Sequence, residues 1–209
     1  MQAAVEKIGF FGGSFDPIHF GHLHLAKELM TRRDLAQVWF CPARLNPRKK
    51  KRQPTPIHYR IQMVELAISG QPKYQLLDIE SQRKGPSYTV DTLRDLLERE
   101  RQRQSPRQIH LLLSDELIPE FFLWREAEEI VKMVRLLIGS RYSSSAAPRF
   151  PNENPQICQA IQKGWTSTSI KEISSTEIRR KLQQGEDCRD LVPKNVLDFI
   201  YKNHLYLTP

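Results

Sequence analysis

Cysteine is scarce in this chain: Cys41, Cys158 and Cys188 are the three in 209 residues, far apart and without a C-x-x-C pair. Their number and spacing exclude a disulfide framework and a zinc knuckle, and they suit a reducing compartment. H-E-x-x-H is also missing, so the closely spaced His19, His22 and His24 do not form a zinc-hydrolase motif. No apolar run approaches the roughly 18 residues that cross a bilayer. The opening residues lack the basic-then-apolar pattern of a secretion signal, and no internal repeat occurs. A cytoplasmic protein with no membrane partner is the expectation.

What the chain does contain is an ordinary globular composition, with 27% charged and 39% apolar residues. Its length fits one domain over residues 1–209, read as a 5–170 core followed by a 171–209 helical part. The formal charge of +8 suits a polyanion such as nucleotide phosphates or RNA. Six of the cations crowd between Arg44 and Arg52, however, and no aromatic motif accompanies them, so no nucleic-acid partner is expected. The oligomeric state stays open, a homo-oligomer included.

Along the chain, short apolar runs alternate with stretches of helical periodicity. Ile8–Phe11, Gln37–Cys41, Tyr74–Ile79, Ile109–Leu113 and Val134–Ile138 read as strands. Residues 20–30, 57–68, 88–97 and the segment around Phe121, Phe122 and Trp124 read as helices, with Gly70 closing the second. Arg99–Arg107 reads as a solvated helix exit, and 141–166 as a surface excursion with a short helix near Ile157–Ile161. The last forty or so residues read as helical. Such alternation predicts an α/β fold with a doubly wound parallel sheet and a small helical C-terminal part.

The densest chemistry is Gly12-Gly13-Ser14-Phe15-Asp16-Pro17-Ile18-His19-Phe20-Gly21-His22, between the first strand and the first helix. Glycines at a strand exit let a phosphate approach backbone N–H groups, and two imidazoles then fall on a helix's first turn, where the dipole favours anions. Gly21 keeps a side chain out of the space between them. Far along the chain, Ile173-Ser174-Ser175-Thr176-Glu177-Ile178-Arg179 offers a capping box, two hydroxyls and a guanidinium at another helix start. Taken alone it is an ordinary cap with a surface arginine; taken with the glycine-rich element it predicts a second phosphate contact.

These two segments resemble the signature and the C-terminal phosphate motif of the H-x-G-H nucleotidyltransferases. Arg83-Lys84-Gly85-Pro86-Ser87-Tyr88-Thr89-Val90-Asp91-Thr92-Leu93 is similar to the R-x-G-x-S-Y-T-x-x-T-L element of bacterial nicotinate mononucleotide adenylyltransferases. Leu113-Ser114-Asp115 with Phe122-Leu123-Trp124 is similar to their G-x-D and F-x-x-W stretch, with Leu113 and Ser114 departing from it. Leu191-Val192-Pro193 and Leu205-Tyr206 match the family's ending. Asn46-Pro47-Arg48-Lys49 stands where the family has P-P-H-K, with arginine in place of histidine.

The resemblance implies a Rossmann-like fold and adenylyl transfer from ATP to nicotinate mononucleotide, as a step of NAD biosynthesis. The alternatives are the same chemistry on nicotinamide mononucleotide or on phosphopantetheine. It further implies catalytic roles for His19, His22, Lys49 and Arg179. ATP would be held by Gly12, Gly13, Ser14, Phe15, His19, His22, Ser114, Asp115, Ile173, Ser174, Ser175, Thr176 and Arg179. Nicotinate mononucleotide would be held by Ser14, Lys49, Ser87, Tyr88, Thr89 and Trp124. Mg2+ would be carried by the phosphates, with no dedicated protein ligands.

Overall fold

In the computed structural model of the chain, which describes residues 5–47, 53–140, 147–169 and 173–207, strands and helices alternate in the expected order. The strands are β1 (Lys7–Gly13), β2 (Gln37–Pro42), β3 (Tyr74–Leu76), β4 (Gln108–Ser114), β5 (Arg135–Ser140) and β6 (Trp165–Ser167). The helices are α1 (Phe20–Arg33), α2 (Ile57–Ile68), α3 (Thr89–Arg101), α4 (Ile118–Phe121), α5 (Ala127–Met133), α6 (Pro155–Gly164), α7 (Ser175–Gln183) and α8 (Lys194–Lys202). A 3-10 turn, Asp115–Leu117, joins β4 to α4.

The six strands form one parallel sheet in the order β3-β2-β1-β4-β5-β6. The chain works outward from β1 to β3, then crosses back to lay β4 against β1 and works outward the other way. Beyond the carboxyl ends of β1 and β4 the loops therefore diverge and leave a crevice, the place where open α/β sheets bind ligands.

Alternation along each strand divides the core between the two faces. Phe10, Leu111, Leu113 and Ile138 pack with Val90, Leu93, Phe121, Ile130 and Ile161 from α3, α4, α5 and α6. Phe11, Phe40, Leu112 and Leu137 pack on the other face with Leu25, Leu29, Met63, Ile178, Val196 and Ile200 from α1, α2, α7 and α8. With both faces covered, β1 and β4 are nearly continuous apolar runs, as parallel strands must be. Truncating a fully buried side chain such as Leu112 would cost about 2–5 kcal/mol.

Three expectations are corrected. The third strand pairs over Tyr74–Leu76 only, because the chain turns inward there and buries Ile79 and Glu80 beside the crevice. Residues 141–166 are not simply a surface excursion: α6 packs on β5, and Trp165 opens β6, which extends the sheet along Ile138–Ser140. Three residues are too few to show a strand period, so β6 left no sequence signal. Nor is 99–107 merely solvated: Arg107 makes a two-pronged ion pair to the buried Glu100 (2.6 and 3.0 Å) and lies 4.5 Å from the Trp39 ring.

Candidate active site

At the carboxyl end of β1, Gly12 and Gly13 pair with Cys41 and Pro42, and the chain then turns sharply at Phe15, whose φ is 45°. A left-handed phenylalanine is costly and survives only where its surroundings hold it. Here the buried Phe15 ring lies against Gly13, where an added Cβ would come within 2.9 Å of it. It also meets Phe11 edge-on at 5.5 Å and His22 at 5.1 Å. The turn thus seats an aromatic wedge under the second histidine.

His19 is the N-cap of α1 and His22 is on the helix's first turn, with their rings stacked at 3.7 Å. The His19 N–H donates to Nδ1 of His22 at 3.3 Å. A neutral His22 ring that accepts at Nδ1 carries its proton at Nε2, so that atom is a donor. His19 is 4% exposed, and burial lowers its pKa to about 3. Gly21 makes this geometry possible: a Cβ there would lie 3.0 Å from Nδ1 of His19 and 3.4 Å from Cβ of Ile173. The sequence assigned that space to the absence of a side chain, and the fold fills it with an imidazole.

The distant segment 173–179 is seated on this loop. Ser174 caps α7 by accepting from the Glu177 N–H at 3.1 Å, which is one half of the expected box. Ser175 Oγ donates to the Pro17 carbonyl (3.0 Å) and Arg179 Nη1 to the Asp16 carbonyl (2.7 Å). Thr176 Oγ1 accepts from Arg179 Nη2 at 3.1 Å. The Phe20 N–H donates to the Leu191 carbonyl, and Asp16 accepts from the Tyr206 hydroxyl at 2.6 Å. Burial, and then the Asp16 charge, raise the pKa of Tyr206, so it stays a donor. The starts of α1 and α7 therefore share one edge of the molecule.

The other expected residues lie at the end of β4, at the start of α3 and just after α4. Ser114 ends β4, and the buried Asp115 opens the 3-10 turn after it. Tyr88 is the N-cap of α3 and Thr89 its first residue; the Arg125 guanidinium lies 4.8 Å from the Tyr88 ring. Trp124 is half-buried, its ring 5.2 Å from that of Phe121. Ser87 is already engaged: its hydroxyl accepts from the Arg44 N–H at 3.0 Å. Lys49 lies outside the described residues.

Two buried charged residues at this edge were not anticipated. Arg60, 1% exposed, donates four hydrogen bonds to main-chain carbonyls around the crevice. Glu80 accepts from the Thr92 hydroxyl at 2.8 Å, and burial raises its pKa despite bonds from Ser87 and Thr92. The available signal was Arg60 itself: it shares its helix face with Met63 and Val64, a position where a lone arginine must have internal partners. The described residues include no group of three or more His, Cys, Asp or Glu suited to a metal ion, and no helix among them is long and apolar enough to cross a membrane.

The sequence pattern of the Cytidylyltransferase-like family matches residues 10–181, which contain both phosphate motifs. A Bacillus subtilis protein named nicotinate-nucleotide adenylyltransferase is 31% identical over 202 residues, which are 97% of this chain and 99% of that one. The chain belongs to the nicotinate-nucleotide adenylyltransferase family. Another member, named a probable nicotinate-nucleotide adenylyltransferase, from Dictyoglomus thermophilum, is 35% identical over 96% of this chain and all of its own. The fold is likewise shared with the Plasmodium falciparum nicotinic acid mononucleotide adenylyltransferase solved with NaAD. That match has a TM-score of 0.73 at 24% identity and covers 96% of this chain and 97% of that one. The family's Rossmann-like sheet is the architecture described above.

Proposed function

We propose that this chain, acting as one nucleotidyltransferase domain, transfers the adenylyl group of ATP to nicotinate mononucleotide, in NAD biosynthesis. A phosphate oxygen of the mononucleotide attacks the α-phosphorus of ATP. The bond from that phosphorus to the α–β bridging oxygen breaks, and its electron pair leaves with pyrophosphate. The products are nicotinate adenine dinucleotide and pyrophosphate. The acceptor phosphate is already a nucleophile, so catalysis rests on in-line positioning and on donors aimed at developing charge.

In this reading Nε2 of His22 donates to the transferred phosphate, with His19 stacked behind it. Gly12, Gly13, Ser14 and Phe15 shape the approach, and Ser114 and Asp115 hold the adenosine. Ile173, Ser174, Ser175, Thr176 and Arg179 serve the β- and γ-phosphates, and Lys49 adds a point charge. The N–H groups of Tyr88 and Thr89, at the positive end of α3, receive the pyridine carboxylate beside Trp124 and Ser87. Mg2+ carried by the triphosphate would supply charge neutralisation there, with no protein side chain needed to hold it.

The single observation that carries this reading is the docking of Arg179 and Ser175 on the Asp16 and Pro17 carbonyls. It supports one nucleotide held between motifs some 160 residues apart in sequence. The test is pyrophosphate release with ATP and, side by side, nicotinate mononucleotide, nicotinamide mononucleotide and phosphopantetheine. The acid mononucleotide is expected to be preferred. Preference for either of the other acceptors would contradict the carboxylate receptor at Tyr88 and Thr89.

A further inference from the structure

Arg60 reaches three separate segments with one side chain. Its Nε donates to the Thr55 carbonyl (2.7 Å), just before α2. Its Nη1 donates to Ser14 O (2.7 Å), in the loop after β1, and to Ala43 O (2.7 Å), after β2. Its Nη2 donates to Arg44 O at 3.0 Å. Burial lowers its pKa, while the charges of Asp16 and Glu80 act in the opposite direction. A guanidinium keeps its proton under such conditions, and its rigid fork is what lets one group address several carbonyls.

The connection continues beyond Arg60. The Arg44 N–H donates to Ser87 Oγ (3.0 Å), and the Ser87 N–H donates back to Leu45 O (2.9 Å). Arg44 Nη1 reaches Ser81 O (3.0 Å) and Arg83 O (2.8 Å). Ser87 directly precedes Tyr88, the N-cap of α3. An unbroken run of hydrogen bonds therefore leads from the loop that presents the histidines, through Arg60 and Arg44, to the start of α3. Those two ends are where the proposed function puts ATP and the pyridine nucleotide.

We infer that Arg60 is a positioning residue that sets the register between the two substrate subsites, an inference that rests on the function proposed above. It touches neither substrate. Its work is to keep the Ser14 loop and the α3 start at a fixed separation, so that the attacking oxygen and the α-phosphorus meet in line. Near-attack geometry is unforgiving: a misplacement of about 1 Å from remote changes can cost about a hundredfold in rate. Each subsite taken alone would still bind its own ligand.

The test is Arg60→Lys with Arg60→Gln as a second variant, activities being expressed per folded molecule from circular dichroism melts. A lysine keeps the charge but cannot span three segments. We expect kcat to fall at least about tenfold, while the dissociation constants of ATP and nicotinate mononucleotide, each measured alone, move less than about threefold. Independently of activity, amide exchange at Ala43, Arg44 and Ser87 is expected to quicken in the variants while the strands stay protected. An undiminished kcat, or unchanged exchange at those three amides, overturns the inference. So does a loss confined to the affinity for one substrate, and so does failure of both variants to fold at 15 °C, which assigns Arg60 to folding alone. A wild-type chain inert with nicotinate mononucleotide would instead sink the proposed function, and the exchange measurement would still judge Arg60.

Discussion

At the carboxyl edge of the sheet, charged groups are bonded to main chain away from bulk water: the buried Arg60 to four carbonyls, the half-buried Arg179 to the Asp16 carbonyl. On the outer faces of α3 and α5, charged groups pair with one another in water, as in Lys132 with Glu128 at 3.1 Å and Arg94 with Glu126. The side chains of these two pairs are 38–49% exposed; the first joins residues one turn apart on α5, and the second joins α3 to the N-cap residue of α5. The first arrangement fixes geometry whatever the salt concentration; the second is screened and worth little. The molecule spends its precise contacts where loops of distant origin must keep a shape, and leaves its helix surfaces to weak pairing.

The largest loss is expected at His22, on the carboxyl edge of the sheet. In His22→Ala we expect kcat to fall about 10²–10³-fold, the usual cost of one donor aimed at developing charge, with an unchanged circular dichroism spectrum. Undiminished turnover would remove the imidazole from the chemistry.

Acid should expose the buried side of the comparison next. The His19 pKa is lowered to about 3, by burial, and that of the buried His110 to about 4, by burial and then by Arg135, Lys7 and Arg33. In the unfolded chain both rings titrate near 6.5. Below that pH the unfolded state binds more protons than the folded one, so stability present at neutral pH is lost as pH falls from 6.5 toward 3. Both ring nitrogens of His110 lack partners among the described residues. Urea midpoints at pH 7 and pH 5 should therefore differ less in His110→Phe than in the wild type, with turnover at pH 7 retained. An equal difference would clear His110 of any part in the acid response.

Smaller effects refine the contrast. Ser174→Ala removes the α7 cap and should cost about 1 kcal/mol in urea unfolding; no change would mean the Glu177 N–H finds another partner. Lys132→Ala, on the solvated side, should leave the urea midpoint unchanged within experimental error. A clear shift there would erase the distinction between the two regions.

Much of this was legible in the sequence where a residue type has one job. The alternation of strands with helices foretold the doubly wound sheet, whereas the space that Gly21 suggested would stay free of side chains is taken by the His19 ring. Ser174 announced the start of α7, because a serine before a helix has a local partner. What escaped needed partners far away in sequence. Ser175 and Arg179 looked like free phosphate ligands, yet they also fasten α7 to Asp16 and Pro17. Arg60 and Glu80 resembled ordinary charges until tertiary packing buried them, and β6 was too short to show a pattern.

The central claim is that helix starts from the two ends of the chain hold one triphosphate between them. A crystal structure with a non-hydrolysable ATP analogue tests it most directly. Hydrogen bonds are expected from both Nε2 of His22 and the N-terminal turn of α7 to phosphate oxygens of the same nucleotide. An analogue bound through the His19–His22 turn alone, with α7 making no phosphate contact, would contradict it.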